Sequence, residues 1–330
     1  MRAVVVDSEY GSVKKEHLQC LQEEYEKEGI SLDIEHFSDE NDIIYNCKEY
    51  DIILATGNPP LTEKVFENLR NLKLVQRFGI GVNSIDLDAA TENGTVVMNM
   101  PGFCDQELAV HASSMILGIL RNLRLYDNGI REGKWLKANG IIPSNPSDLT
   151  IGLFGFGQSA KKLYEIFKKG FNSNIIVCDP YIKKEDIKDY DVTLLSFDKL
   201  LKESDVVSIH VPLTEETKYK FNKESFKKMK NSAIIINISR GGIIQEDDLI
   251  DALEKGDIRA AGLDVFENEP NIDERWKNVE NSILTPHSAF FGEKARDKQI
   301  SLAKKLVIDF SKNKINEKYI ANQKIIERIK

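Results

Sequence analysis

The 330-residue chain reads as an α/β protein built on two doubly wound parallel sheets. Three observations lead there. Short apolar runs alternate with helix-like stretches on both sides of one long apolar segment, Asp105 to Leu123. The run Leu149 to Phe154 ends in Gly155-x-Gly157 and passes straight into a helical pattern in which Ala160, Leu163, Ile166 and Phe167 recur on one face. A following run, Asn174 to Cys178, ends in Asp179, 22 residues past Gly157.

Taken in order, the first hundred residues predict strands at Ala3–Val6, Leu32–Glu35, Asp51–Ala55, Leu72–Gln76 and Thr95–Met98. Helices are predicted at Val13–Lys27, Thr62–Asn71 and Leu87–Asn93, the last stopped by Gly94. Asn58-Pro59-Pro60-Leu61-Thr62 is a loop ending in a helix cap. Arg77-Phe78-Gly79-Ile80-Gly81-Val82-Asn83 follows a strand with two closely spaced glycines. It reads either as a tight turn or as a loop whose free backbone N–H groups hold an anion such as a carboxylate. Pro101-Gly102 marks a crossover, and the apolar segment after it is expected to be buried between domains or subunits. After Trp135, a loop from Pro143 to Pro146 leads into the glycine-rich junction. From there strands are predicted at Leu149–Phe154, Asn174–Cys178, Val206–His210, Ala233–Ile238, Ala260–Val265 and Ile283–Thr285. Asp297 to Lys312 is a final amphipathic helix, and Asn313 to Lys330 a charged tail.

The Gly155-Phe156-Gly157-Gln158-Ser159-Ala160 junction has the form of a dinucleotide fingerprint. Gly155 permits the tight turn, and Gly157 lets a pyrophosphate approach the positive end of the helix. A carboxylate at Asp179 accepts hydrogen bonds from the ribose hydroxyls and repels a 2′-phosphate, which favours NAD over NADP.

Composition narrows the classes. A formal net charge of −8 without a basic block argues against nucleic acid and anionic membrane as partners. Cys20, Cys47, Cys104 and Cys178 are widely spaced, which suits neither a disulfide framework nor a metal site and fits a reducing cytoplasm. The strand-like start and the lack of a long apolar run predict a soluble, cytoplasmic protein.

Ligands of open α/β sheets lie beyond the carboxyl ends of the strands, and three capable residues follow three successive predicted strands there: Arg240, Glu269 and His287. Reducing a ketone needs a hydride at carbon and a proton at oxygen. A histidine can give and retake that proton, a carboxylate can orient it, and a guanidinium can hold a substrate carboxylate and polarise the carbonyl.

The blocks Ser204-Asp205-Val206-Val207-Ser208-Ile209-His210-Val211-Pro212-Leu213-Thr214, Asn237-Ile238-Ser239-Arg240-Gly241-Gly242, Gly262-Leu263-Asp264-Val265-Phe266-Glu267-Asn268-Glu269-Pro270 and Thr285-Pro286-His287-Ser288-Ala289 closely resemble the D-isomer-specific 2-hydroxyacid dehydrogenases. The likeness extends to Arg77–Asp86 and Gly133-x-Trp135. It implies an NAD-dependent enzyme that interconverts a 2-oxo acid and a D-2-hydroxy acid. His287 would be the acid/base, Glu269 its partner and Arg240 the substrate-binding cation. Backbone amides of Gly79, Ile80, Gly81 and Val82 would hold the substrate carboxylate. Gly155, Phe156, Gly157, Gln158, Ser159, Asp179, Pro180, His210, Val211, Pro212, Thr217, Ile238, Ser239, Arg240, Asp264, His287 and Ala289 would line the NAD site, with Asp264 at the nicotinamide carboxamide. The resemblance also implies a Rossmann cofactor domain, residues 101–289, inserted in a flavodoxin-like substrate domain, residues 1–100 completed by 290–330. A homodimer through the cofactor domain would explain the apolar helix after Asp105. An NADH-sensing regulator of the corepressor type on the same fold is the alternative.

From the residues alone, His210 reads as a satisfied structural histidine, His111 as packing and Trp135 as an interface residue; His17 and His36 carry no signal. Ala160 stands at the third glycine position, and its methyl is expected to loosen helix–strand packing. Val110 replaces an acidic residue common in relatives. The loop Thr56–Pro60 lacks the basic residues of phosphoglycerate-specific relatives, which argues against a phosphorylated substrate. Phe290-Phe291 fits either an apolar substrate side chain or simple packing.

Overall fold

A computed structural model describes residues 1–7, 15–135 and 144–329. Val13 and Lys14 of the first predicted helix, Pro143 of the predicted loop and Lys330 of the tail lie outside the described residues. The chain divides into two compact units, Met1–Phe103 with Phe291–Lys330, and Cys104–Phe290.

The first unit holds five parallel strands, β1 (Arg2–Asp7), β2 (Ser31–His36), β3 (Ile52–Ala55), β4 (Leu74–Arg77) and β5 (Val96–Met98), in the order β2-β1-β3-β4-β5. This is the flavodoxin-type order. β3 is buried along its whole length, as expected of a central parallel strand covered on both faces. Helices α1 (Lys15–Glu26), α2 (Glu40–Asn46), α3 (Glu63–Asn68) and α4 (Leu87–Asn93) make the crossovers. α2 is short and buries only Ile43, so it shows no apolar period; the Asp39 side chain starts it by accepting from the Asn41 and Asp42 amides. Thr62 stands at the cap position of α3, but its hydroxyl donates to Glu40 (2.5 Å) instead of capping. Gly94 ends α4 in the left-handed conformation at φ 80°.

The second unit opens with α5 (Asp105–Leu120) and α6 (Leu123–Arg131). The apolar segment stops at Leu120 because Asn122 turns left-handed at φ 53°, and α6 starts anew after it. α5 packs on its own unit, burying Ala109, Ala112, Met115, Ile116 and Ile119 in one core with Ile151, Leu153 and Ile236. That packing accounts for its apolar character without a second chain.

Seven parallel strands follow: β6 (Thr150–Phe154), β7 (Asn174–Cys178), β8 (Thr193–Leu194), β9 (Val206–Ile209), β10 (Ile234–Asn237), β11 (Ala260–Leu263) and β12 (Ser282–Leu284). Their order, β12-β11-β10-β9-β6-β7-β8, is the doubly wound dinucleotide-binding order with one strand added at the edge. The two-residue β8 is too short to show a pattern, which is why six strands rather than seven are predicted. α7 (Gln158–Tyr164) continues through a π-helical turn, Glu165–Lys169. Ala160 is fully buried, so its methyl fills the helix–sheet core.

The last long helix, Glu293–Ser311, belongs to the first unit, where the Tyr25 hydroxyl donates to the Ala303 carbonyl (2.9 Å). The tail beyond it is anchored. Ile320 bridges Met98, and the buried Asn322 side chain accepts from the Val97 amide while donating to the Thr95 carbonyl. Among the described residues no helix is long and apolar enough to cross a membrane.

Candidate active site

In the second unit the order reverses between β6 and β9, and β6 ends at Gly155. Gly155 adopts φ +90°, and a Cβ there would lie 2.6 Å from Val211 Cγ1 and 2.8 Å from the His210 carbonyl. Only glycine lets the two strand ends approach this closely. At Gly157 a Cβ would meet nothing within 4 Å, and no side chain caps the helix that starts there. The junction therefore presents open space and unsatisfied N–H groups at a helix start, the cradle a pyrophosphate requires. Asp179, at the end of β7, accepts from the Phe156 amide with one oxygen (2.9 Å) and from the Tyr181 amide with the other (2.9 Å). It thus ties the glycine loop to β7 and keeps further lone pairs for ribose hydroxyls. Pro180 follows it directly. These features fit a dinucleotide.

His210 follows β9. Ser159 and Ser208 hydroxyls engage its Nδ1 (3.1 Å) and Nε2 (2.9 Å), and burial lowers its pKa to about 4. It is a neutral, fully bonded imidazole. Thr217 holds the turn beside it, donating to the Pro212 carbonyl (2.7 Å) and accepting from the Thr214 amide (2.8 Å).

β10, β11 and β12 are adjacent, and their carboxyl ends carry the three capable residues. Past β10, Ser239 donates to the Ile209 carbonyl (2.9 Å), and Arg240 Nη1 donates to the Ser239 carbonyl (2.6 Å). The sequence patterns missed the residue that shapes this turn. The buried Asn237 side chain accepts from the Ser239 amide (3.0 Å) and donates to the Arg240 carbonyl (2.9 Å). Gly241 matters for another reason: a Cβ there would sit 2.0 Å from the Phe266 carbonyl. Its absence lets the Arg240 turn lie directly against the loop that carries Glu269. Burial lowers the Arg240 pKa, opposed by the Glu269 carboxylate; an arginine remains charged at neutral pH all the same.

His287 Nδ1 lies 2.6 Å from Glu269 Oε2, while Glu269 Oε1 accepts from the Phe266 amide (2.9 Å). Burial works against the Glu269 charge, but His287, the Phe266 amide and Arg240 together hold its carboxyl below the ordinary range. The carboxylate is held at both oxygens, so it fixes the orientation of the imidazole through Nδ1. His287 itself has φ 51°, a left-handed conformation unusual for a residue with a side chain. The strain, of order 1–3 kcal/mol, is held by surrounding bonds. The His287 amide donates to the Asp264 carbonyl (2.7 Å).

The Asp264 carboxylate is only 1% exposed and organises the same strand end. It accepts from the Thr285 hydroxyl (2.6 Å) and from the Ser288 (2.8 Å) and Ala289 (2.9 Å) amides. His111 on α5 reaches Thr285 Oγ1 at 2.9 Å and Asp264 at 3.6 Å, so it does more than fill space. Phe290 stands edge-on to the His287 ring at 6.3 Å, whereas Phe291 is 56% exposed with Arg296 stacked on it.

A model of the D-isomer specific 2-hydroxyacid dehydrogenase NAD-binding domain matches residues 113–289. The hydroxypyruvate reductase of Thermotoga maritima is 35% identical over 286 residues, 85% of this chain and 91% of that one. The chain belongs to the D-isomer-specific 2-hydroxyacid dehydrogenase family. Another relative, the D-3-phosphoglycerate dehydrogenase of Archaeoglobus fulgidus, is 34% identical over 266 residues, 80% of this chain but 50% of that one. The family member described here spans about half the length of the phosphoglycerate dehydrogenases it matches. Among solved structures, D-lactate dehydrogenase from Aquifex aeolicus, complexed with NAD and lactic acid, superposes with a TM-score of 0.86 at 26% identity, over 97% of this chain and 99% of that one.

The predicted carboxylate loop, Gly79, Ile80, Gly81 and Val82, lies in the first unit after β4. Every carbonyl from Phe78 to Val82 is engaged within that unit: Phe78 by Arg77 and Gln299, Gly79 by the Met100 amide, Ile80 by Asn99, Gly81 by Arg77 and Val82 by the Ile85 amide. Among the described residues none of the four amides of Gly79 to Val82 has an acceptor. A run of amides left open beside carbonyls that are all taken has donors to offer an acceptor from outside the unit.

Proposed function

We propose that this protein is an NAD-dependent D-2-hydroxyacid dehydrogenase that interconverts a 2-oxo acid and a D-2-hydroxy acid. The observation that carries the reading is the His287–Glu269 pair, 2.6 Å apart, at the carboxyl end of the strands that also present Arg240. NADH, when bound, supplies the hydride that reaches the carbonyl carbon. Gly155, Phe156, Gly157, Gln158 and Ser159 would hold its pyrophosphate, and Asp179 and Pro180 its adenosine ribose. His210, Val211, Pro212, Thr217, Ile238, Ser239, Asp264 and Ala289 would line the rest of the cofactor cleft.

His287 gives its Nε2 proton to the ketone oxygen and recovers it in the reverse direction. Glu269 accepts from Nδ1 and holds the ring in one orientation. Arg240 binds the substrate carboxylate and polarises the neighbouring carbonyl. The open amides of Gly79, Ile80, Gly81 and Val82 bind the carboxylate through the backbone. Phe290, beside the His287 ring, supports an apolar substrate side chain.

The same reading extends to a cytoplasmic homodimer joined through the cofactor unit. The dimer is supported by the exposed apolar residues there, Leu123, Ile130 and Trp135. The test is NADH oxidation, with NADPH in parallel, against pyruvate, 2-oxoisocaproate, phenylpyruvate, glyoxylate, hydroxypyruvate and 3-phosphohydroxypyruvate. NADH-dependent turnover with the larger apolar acids is expected. A preference for NADPH would overturn the role of Asp179. NADH binding without turnover would favour a regulator.

A further inference from the structure

We propose that Arg77 is a positioning residue for the substrate carboxylate, acting by holding the carbonyls of the loop that binds it. The inference rests on reading the Gly79–Val82 amides as that binding loop. Arg77 ends β4, and its guanidinium turns back onto the loop it introduces. Nη1 donates to the Phe78 carbonyl at 2.6 Å and, more distantly, to the Ala55 carbonyl at the end of β3 (3.5 Å). Nε donates to the Gly81 carbonyl at 3.1 Å.

A trans peptide sets its N–H opposite its C=O. Holding Phe78 O therefore turns the Gly79 amide away from the guanidinium, and holding Gly81 O does the same for Val82. Asn99 completes the set by donating to the Ile80 carbonyl (2.7 Å), which turns the Gly81 amide, and the Met100 amide takes the Gly79 carbonyl (2.9 Å). The first and last amides of the anion site are thus aimed by one side chain. A planar fork with donors on several nitrogens can do this, whereas an ammonium point charge cannot.

The surroundings are built for that fork. Gly79 has φ +154°, and a Cβ on it would lie 3.1 Å from Arg77 Nη1 and 3.3 Å from Cζ. A Cβ on Gly57, in the neighbouring Thr56–Pro60 loop, would lie 3.5 Å from Nη2. Two glycines lie against the guanidinium, which explains why this loop carries glycine at 79 independently of any ligand.

The experiment uses the full chain saturated with NADH and oxamate, a carboxylate that is not reduced. Oxamate affinity is measured by titration, and the amide resonances of residues 79–82 are followed by nitrogen-15 NMR. In the wild type these four amides should shift on oxamate addition. Arg77→Gln and Arg77→Lys should both weaken oxamate by about tenfold or more, with NADH affinity unchanged. Asn99→Ala, which releases only the Ile80 carbonyl, should weaken it severalfold and keeps the test alive should Arg77→Gln fail to fold. Wild-type oxamate affinity in Arg77→Lys would mean that charge alone matters, and would overturn the positioning role. Unchanged affinity in Asn99→Ala would overturn the importance of carbonyl holding. Wild-type amides that stay still would overturn both the role of the loop and that of Arg77. The acid/base reading of His287 would then be judged separately, by turnover.

Discussion

The strand-end cluster of the second unit and the glycine loop of the first present different kinds of chemical group from different parts of the chain. The cluster offers side chains: His287 and Glu269 paired at 2.6 Å, Arg240 acting electrostatically on Glu269, and a buried Asp264. The loop offers backbone amides, which under the proposed reading are aimed by what holds the carbonyls behind them. A side-chain site can be broken by removing one group. A backbone site is broken only by changing the residues that aim it, and those residues need never touch the ligand.

The largest effect should come from the side-chain region. His287→Ala should lower turnover by about 10²–10⁴-fold while NADH affinity, followed by fluorescence titration, stays within severalfold of wild type. An equal loss of cofactor affinity would show that the residue acts in binding and would blur the contrast. Asp264→Ala should follow, destabilising the fold by roughly 2–4 kcal/mol in urea denaturation. It strips the acceptor from the Thr285 hydroxyl and the Ser288 and Ala289 amides in a buried setting.

His210 sharpens the comparison from another side, as a histidine built to stay neutral. Its folded pKa of about 4 lies below the unfolded value of about 6.5. As pH falls through that window the unfolded chain takes up a proton that the folded chain refuses. Stability from this group is therefore whole above about pH 6.5 and declines towards pH 4, by up to about 3 kcal/mol. His210→Gln should flatten that part of the stability profile; a slope left unchanged would assign it to other groups.

The smallest effect should fall on the backbone region. Gly79→Ala meets both a positive φ and the Arg77 guanidinium. It should cost about 1 kcal/mol of stability and raise KM for the oxo acid severalfold with little change in kcat. A purely kcat effect would show that the loop takes part in the chemical step.

The same contrast governs what could be read from the sequence. Both sheets, the Gly155–Gly157 junction and the three strand-end residues were legible, because apolar period and residue identity are written in the chain. Arg240, Glu269 and His287 stand out as polar letters after buried strands, and β10, β11 and β12 prove to be neighbours. Asn237 carries a usable signal, a lone Asn closing a run of three isoleucines, but the strand pattern alone does not single it out. Gly241 looks like any turn glycine until the Phe266 carbonyl is found against it. Arg77 and Asn99 act through carbonyl oxygens, which carry no letter at all. β8, with two residues, and α2, with one buried side chain, are too short for periodicity to register.

The most direct single measurement is the configuration of the product formed when the protein reduces phenylpyruvate with NADH, resolved by chiral chromatography. The D-2-hydroxy acid alone, absent from a parallel reaction with His287→Ala, is the predicted result. The L-acid, or no product from a protein that binds NADH, would contradict it.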